Sequence, residues 1–373
     1  MASPSTSPQR KVLFILHLPP PVHGAALVGK FIADSKYINS GVKSKYVNLA
    51  TSRSMQDLGK LSFLKFFFAL KVVTGVCTAA IRFKPHLCYL TFASKGFAFY
   101  KDMIIIVALR LLGHRLVLHL HHQGVQEAIR RAPWKKKAFR FAFGHSNTYV
   151  MLLSKHLYYD VAEFVSREQV VYCPNGIPDK AVTRSEQAND ALFRLLFLSN
   201  MLASKGIFEL LKALQLLKQE GLPVGCDFVG DWKDTTPTAF QEQIEALGLT
   251  GLVEAHGKKY NDDKNRFWAG ADAFVLPSLD DAFPLVVLEA MHNRLPVIAT
   301  HEGGIPDMVA DGQTGFLVPK RDTKALADKI RSLTENRTLA RQMGLNGRNR
   351  YETEFQISAF EHRFSALIQQ LAV

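Results

Sequence analysis

LPSLDDAFPLVVLEAM, residues 276–291, continues through HNRLPVIATHEGGIPD to Asp307. The apolar run Ala273–Leu276 reads as a strand, and a proline and two acids then break it. Leu285–His292 reads as a helix, and Pro296–Ala299 as the next strand. Short strands apolar on both faces, alternating with helices, belong to parallel sheets covered on both sides.

The same alternation extends in both directions. Toward the N-terminus, strands are predicted at Val12–Leu16, Leu87–Thr91, Leu116–Leu120, Thr148–Leu153 and Val170–Tyr172. Helical stretches fall at 25–35, 61–82, 98–112 and 134–143. In the second half, strands are predicted at Leu195–Leu198, Cys226–Val229 and Val253–His256 besides the two above. Helices are predicted at Lys205–Glu220, Thr238–Leu247, Lys264–Ala269, Lys324–Thr334 and Leu339–Glu352. The expected class is α/β, with two doubly wound Rossmann-like domains facing each other across a cleft. The expected division is a flexible tail at 1–10, a first domain at 11–178, a second at 179–352, and a helix at 353–373 crossing back to the first.

The chain has 373 residues, 47% hydrophobic and 21% charged, which excludes a disordered or collagen-like protein. Four scattered cysteines with no CxxC pair exclude a disulfide scaffold and a zinc module and suggest a reducing compartment. The net charge is +13, unevenly placed. Residues 1–180 hold 25 Lys/Arg against 8 Asp/Glu, and residues 181–373 hold 21 against 25. A basic excess confined to one half points to an anionic partner for that half. No apolar stretch is long enough and free enough of charge to span a bilayer. The run Val12–Leu16 meets Pro19–Pro21 without a cleavage site, so it reads as a strand rather than a signal peptide.

Ligands of open parallel sheets bind beyond the carboxyl ends of the strands, so the residues just after each strand carry the functional reading. Gly24, in HLPPPVHGAALVGK, lets a ligand approach backbone at a helix start; alone it is also a plain turn. His119, His121 and His122 end the strand 116–120, with His121 able to orient a sugar hydroxyl. Lys205 and Gly206 follow a strand and open a helix, where an ammonium and oriented N–H groups can meet a phosphate. Asp281 lies in a loop, and Glu289 eight residues on lies on the helix after it. A paired-carboxylate hydrolase is the competing reading of these two acids. Gly303 and Gly304 allow close backbone approach in the next loop.

Together these segments resemble the retaining nucleotide-sugar glycosyltransferases of family 4, the group 1 transferases with the GT-B fold. The likeness runs from residue 11 to about 355 and is strongest across 270–320. The family's first loop is matched by Pro19–Gly24, its cleft histidine by His121, and its Asn-Gly turn by Asn175-Gly176. Its basic phosphate pair falls at Asn200 and Lys205, and its E-x7-E motif at Asp281 and Glu289. Asn200 stands where a basic residue is usual, Asp281 where Glu is usual, Pro284 where Gly is common, and the first loop has Gly24-Ala25, or His23-Gly24, for Gly-Gly.

The resemblance implies transfer of a sugar from a nucleotide diphosphate donor, most often UDP-linked, with retained configuration. The acceptor would be a glycan or a polyprenyl-diphosphate-linked sugar, in cell-surface polysaccharide or glycolipid synthesis. It implies His121, Asp281 and Lys205 as catalytic residues. Donor binding would use Gly24, Asn200, Lys205, Phe283, Leu285, Val286, Glu289, Gly303 and Gly304. No cofactor and no metal are expected. The basic half suggests a cytoplasmic protein held peripherally on the inner, anionic face of a membrane. Candidates for acceptor or membrane contact are His119, His122, Lys65, Lys135, Lys136 and Lys137, in the segments Lys60–Lys71 and Trp134–Arg140. The loop His256–Tyr260 is where base contacts are expected. The alternatives are a sugar-nucleotide epimerase of the same architecture and a non-catalytic basic protein binding membrane or nucleic acid. No nucleic-acid motif supports the last, so no nucleic-acid partner is expected.

Overall fold

The computed structural model describes residues 9–20, 22–50, 63–179, 192–259 and 261–372, without the side chains of 63–66 and 261. Residues 51–62 and 180–191 and most of the expected tail lie outside the described residues, as does Tyr260. The chain divides into two compact units, one running to Asn175 and taking up again at Ile357, the other Gly176–Gln356.

The first unit is built from β1 (Lys11–Leu16), α1 (Gly24–Asp34), α2 (Lys36–Gly41), β2 (Lys43–Asn48), α3 (Phe63–Phe83), β3 (Leu87–Thr91) and α4 (Gly96–Leu111). It continues with β4 (Arg115–Leu120), α5 (Val125–Arg131), α6 (Lys135–Phe143), β5 (Thr148–Leu152) and β6 (Val170–Tyr172). Its strands form one sheet in the order β2-β1-β3-β4-β5-β6, every pair parallel. Strand β3 is buried along its whole length, as the apolar run LCYLT requires of a strand covered on both faces.

The second unit holds β7 (Phe193–Leu198), α7 (Ile207–Gln219), β8 (Val224–Val229), α8 (Pro237–Ala246), β9 (Val253–Ala255), α9 (Asn261–Gly270) and β10 (Ala273–Leu276). After these come α10 (Leu285–His292), β11 (Val297–Thr300), α11 (Ile305–Met308), β12 (Gly315–Val318), α12 (Thr323–Glu335) and α13 (Arg337–Arg350). The sheet order is β12-β11-β10-β7-β8-β9, all parallel. Renumbered from its own first strand this is 6-5-4-1-2-3, the Rossmann order, in which strand order reverses between β7 and β10. In the first sheet the corresponding reversal lies between β1 and β3. These two points fix where each unit can build a site.

Several expectations are corrected. Strand β2 escapes the sequence pattern because KSKYVN carries two lysines on an edge strand, where charge blunts pairing. Strand β12 is short and begins with a glycine. Helix α7 starts at Ile207, since Gly206 adopts φ 77° and Lys205 belongs to the 3-10 turn before it. The last long helix of the second unit ends at Arg350 and passes into a π turn, Tyr351–Phe355. Tyr351 Oη donates to the Ile177 carbonyl at 3.1 Å, and the Ile177 N–H donates to the Phe355 carbonyl at 3.0 Å. The helix expected from 353 therefore begins at Ile357 as α14 (Ile357–Leu371), whose residues belong with the first unit. There Phe364 packs edge-on against Tyr89, and Arg363 donates to the Pro174 carbonyl at 3.2 Å.

Candidate functional site

In the second unit, three loops at the carboxyl edge are stitched together by their backbones. The loop after β7 carries Lys205, the loop after β10 carries Asp281, and the loop after β11 carries Gly303 and Gly304. The Leu279 N–H donates to the Ser204 carbonyl at 2.8 Å, and the Gly304 N–H to the Ala282 carbonyl at 2.7 Å. Thr300 Oγ1, at the end of β11, donates to the Ser278 carbonyl at 2.5 Å. Two glycines permit this approach. A Cβ on Gly206 would lie 2.0 Å from the Pro277 carbonyl oxygen, and one on Gly303, at φ 52°, 1.9 Å from that of Asp281. Any side chain there would push the loops apart. Glu302, buried in the same loop, pairs with Lys320.

The charged side chains sit on this frame. Lys205 Nζ lies 2.8 Å from Asp281 Oδ1 and donates to the Asp280 carbonyl at 2.7 Å. Burial pushes the Asp281 carboxyl above its ordinary range, against the downward pull of the Lys205 ammonium. The pair spans the reversal between β7 and β10, where an open α/β sheet binds its ligand. Helices α7 and α10 start beside it, neither with a capping side chain. Their first N–H groups are the kind that receive phosphate oxygens. Glu289, one turn inside α10, pairs with Lys264 of α9, whose ammonium also lies 5.9 Å from the Trp268 ring. Leu285 and Val286 form the first turn of α10 and are half-buried, while Phe283 is buried against Phe355. Asn200 is exposed, just after β7. The geometry thus brings Lys205, Asp281, Gly303 and Gly304 together, with the start of α10 beside them.

His256, expected near the base, instead turns toward the sheet. Its Nε2 lies 2.7 Å from Asp227 Oδ1, and its ring packs on Phe267. Among the described residues Asp227, Glu254 and His256 bring ligand-type atoms within 4.8 Å of one another. Arg194 already lies 3.3 Å from Asp227 and pairs with it.

In the first unit the carboxyl edge is lined by histidines. His121 follows β4 and is half-buried, and burial beside His122 and His23 lowers its pKa to about 3. The sequence reading missed two partners. His17 follows β1, its pKa lowered to about 3 by burial and by the nearby Lys101 ammonium. His23 caps α1, its Nδ1 accepting from the Ala26 N–H at 3.4 Å, and its ring lies 5.5 Å from that of His17. The signal was present in HGAA, a polar residue before a helix that opens at Gly24, but histidine is an unusual cap. Gly24 is exposed, and a Cβ there would meet nothing within 4 Å. His122 Nε2 accepts from the Ser94 N–H at 3.1 Å.

Three candidates for acceptor or membrane contact are corrected or lie beyond description. His119 is fully buried: Tyr89 Oη meets its Nδ1 at 2.5 Å and its ring lies tilted against that of His121 at 3.9 Å, so it supports His121. Lys135 is buried, its ammonium 4.6 Å from the Phe99 ring. The side chain of Lys65 lies outside the described residues. Lys136 and Lys137 are exposed, and Lys136 pairs with Glu163 at 2.5 Å. The start of α5, beside His122, is closed to anions. Asp160 fills it, accepting from the N–H groups of Gly124, Val125 and Gln126 at 2.7, 2.9 and 2.9 Å.

The fold is GT-B. The chain aligns over 97% of its length with sucrose-phosphate synthase from Thermosynechococcus elongatus, covering 99% of that chain at TM-score 0.73 and 19% identity. Anabaena Alr3699/HepE, solved in complex with UDP and glucose, aligns over 96% of this chain and 99% of its own at TM-score 0.71 and 19% identity. Residues 179–350 match the family model of the group 1 glycosyl transferases, and this part of the chain is a domain of that family. The Staphylococcus aureus capsular polysaccharide biosynthesis glycosyltransferase CapM is 32% identical over 159 residues, 43% of this chain and 41% of its own. The Erwinia amylovora amylovoran biosynthesis glycosyltransferase AmsK is 28% identical over 206 residues, 52% and 49%. The matched stretch spans less than half the length of either relative.

Proposed function

We propose that the protein is a retaining glycosyltransferase of family 4, moving a sugar from a UDP-sugar to a glycan or lipid-linked acceptor in surface polysaccharide synthesis. The observation that carries this reading is the Lys205–Asp281 pair at the β7/β10 reversal, beside the uncapped starts of α7 and α10. That arrangement suits a diphosphate. Lys205 and the helix N–H groups stabilise the charge that gathers on the leaving diphosphate. Asp281 accepts from hydroxyls of the donor sugar, and Glu289 from those of the ribose. The C1–O bond to the diphosphate breaks with oxocarbenium character, and the acceptor oxygen bonds C1 on the same face. The acceptor proton passes to a diphosphate oxygen, so no protein nucleophile and no metal enter the scheme. His121, kept neutral by burial, has the chemistry to hydrogen-bond a sugar hydroxyl at the carboxyl edge of the first unit. HepE, similar in fold, was solved with UDP-glucose, and CapM and AmsK act in polysaccharide synthesis by name. The basic first half suits work at the anionic cytoplasmic face of a membrane.

The test is a panel of nucleotide sugars screened by thermal shift, followed by product analysis with the sugar that binds. Ligands of the native state raise its melting temperature. A shift by one UDP-sugar, with metal-free transfer or slow hydrolysis that retains configuration, supports the reading. No shift by any nucleotide sugar overturns it, as does an altered sugar released without acceptor, the mark of an epimerase.

A further inference from the structure

We propose that the outer face of α4, together with α6 beside it, docks on an anionic lipid bilayer. The proposal deepens the membrane setting suggested above and rests on that reading only for its biological purpose.

Helix α4 carries apolar residues on its outer as well as its inner face, while its Lys101 and Asp102 are buried. Phe99, Ile105, Ile106 and Leu109 face inward and are buried. Tyr100, Ile104, Val107 and Leu111 are 50%, 56%, 39% and 84% exposed. Their spacing of four, three and four residues sets them in one stripe, about 16 Å long at 1.5 Å per residue. A helix on the surface of a soluble protein places polar residues there, so this face calls for a cover.

Helix α6 lies alongside and widens the stripe. The Trp134 ring stacks on Tyr100 at 6.1 Å. Toward the other end, Arg110 donates to the Ala142 carbonyl at 2.9 Å, with its guanidinium 4.5 Å from the Phe141 ring. Trp134 and Phe141 are both exposed. Tyr and Trp at the edge of an apolar face are suited to a headgroup boundary, each having an apolar body and a polar tip.

The charge around the stripe selects the occupant. Residues 63–147, which include both helices, hold fourteen Lys/Arg against two Asp/Glu, and of the fourteen Lys101 and Lys135 are buried. Of the two acids, Asp102 is buried and Glu127 is engaged by Lys95 and Arg131. Glu163, from outside the segment, meets Lys136 and Arg140. Lys137 sits between Trp134 and Phe141 on α6, exposed and without a carboxylate partner among the described residues. A protein partner would bring mixed charge to such a rim, whereas an anionic leaflet offers negative charge over the whole patch. The surface rests on the bilayer rather than crossing it. No described helix is long and apolar enough to cross a membrane, and α4 spans only about 24 Å.

The experiment is co-sedimentation of the full chain with vesicles of phosphatidylcholine alone and of equal parts phosphatidylcholine and phosphatidylglycerol. Wild type is expected to pellet with the mixed vesicles at low salt and to stay in solution with phosphatidylcholine alone. The double variant Ile104→Ser/Leu111→Ser should bind the mixed vesicles about tenfold more weakly, and Lys137→Glu several-fold more weakly. Circular dichroism melting of each variant shows that it folds, and thermal shift with UDP on the same samples reads the second unit separately. A failure of nucleotide binding therefore leaves this test standing. Wild type that ignores the mixed vesicles, or a folded double variant that binds them equally, overturns the proposal. So does a concentration-dependent dimer that the double variant abolishes, with no vesicle binding.

Discussion

At the carboxyl edge of the second sheet, charge is held in opposite pairs on a frame of backbone contacts. Lys205 meets Asp281, and Lys264 meets Glu289. At the same edge of the first sheet, His17 and His23 from one loop and His121 from another are gathered and kept neutral by burial. The contrast teaches a division of labour. A diphosphate must find fixed donors and a cation, whereas a sugar hydroxyl needs groups that donate and accept without competing for charge. Each edge has the chemistry of one half of the proposed reaction.

The largest effects should fall where charge is gathered. Lys205→Ala should lower kcat/KM by about a hundred- to a thousand-fold, the scale of one lost stabiliser of developing charge. Kinetics with the UDP-sugar selected above checks it, and normal turnover would break the assignment of this edge to the donor. His121→Ala should lower turnover about a hundredfold while UDP affinity stays unchanged, since that affinity belongs to the other unit. A parallel loss of UDP binding would erase the division.

Next in size is the frame itself. Gly303→Ala forces a Cβ toward the Asp281 carbonyl at a positive φ. It should cost about 2 kcal/mol or more and weaken UDP binding with it. Chemical denaturation read beside calorimetry measures both. Stability unchanged by Gly303→Ala would mean that the three loops are not locked as described.

The pH dependence sharpens the comparison further. His17 and His121 stay neutral in the folded first unit down to about pH 3, while in the unfolded chain they take up protons near pH 6.5. The unfolded state binds more protons across that window, so their contribution to stability is present above pH 6.5 and is lost as pH falls toward 3. Melting temperature should fall between pH 7 and pH 4.5, less steeply in His17→Gln. An identical slope in the variant would remove His17 from this account. The smallest effect is expected from Lys264→Met, whose half-exposed pair should contribute no more than about 1 kcal/mol to stability.

How legible each edge was follows from how local its signals are. The second edge is written in contiguous stretches: Leu276–Asp307 carries strand, loop, helix and glycine loop in order, and Lys205-Gly206 shows its own turn. Even there, the loop-to-loop contacts that make Gly206 and Gly303 obligatory arise only when β7, β10 and β11 lie side by side. The first edge is scattered. His17 and His23 share the loop after β1, but helices separate that loop from Ser94 and from His121, and nothing in their local sequence links them. His119 and Lys135 were misjudged because period alone does not tell a strand's last buried residue, or a lysine lying across an aromatic ring, from an exposed one. The stripe on α4 was hidden for the opposite reason: a helix with apolar residues on both faces and its Lys101 and Asp102 buried reads as core until its neighbours are known.

The central claim is that the Lys205–Asp281 edge holds a nucleoside diphosphate. Isothermal titration calorimetry of UDP into wild type and into Lys205→Ala, with both shown to be folded by circular dichroism, tests it most directly. The account predicts one site per chain in wild type and at least a tenfold loss of affinity in the variant. Binding of equal strength in both, or no binding of UDP or of any nucleotide sugar to wild type, would contradict it.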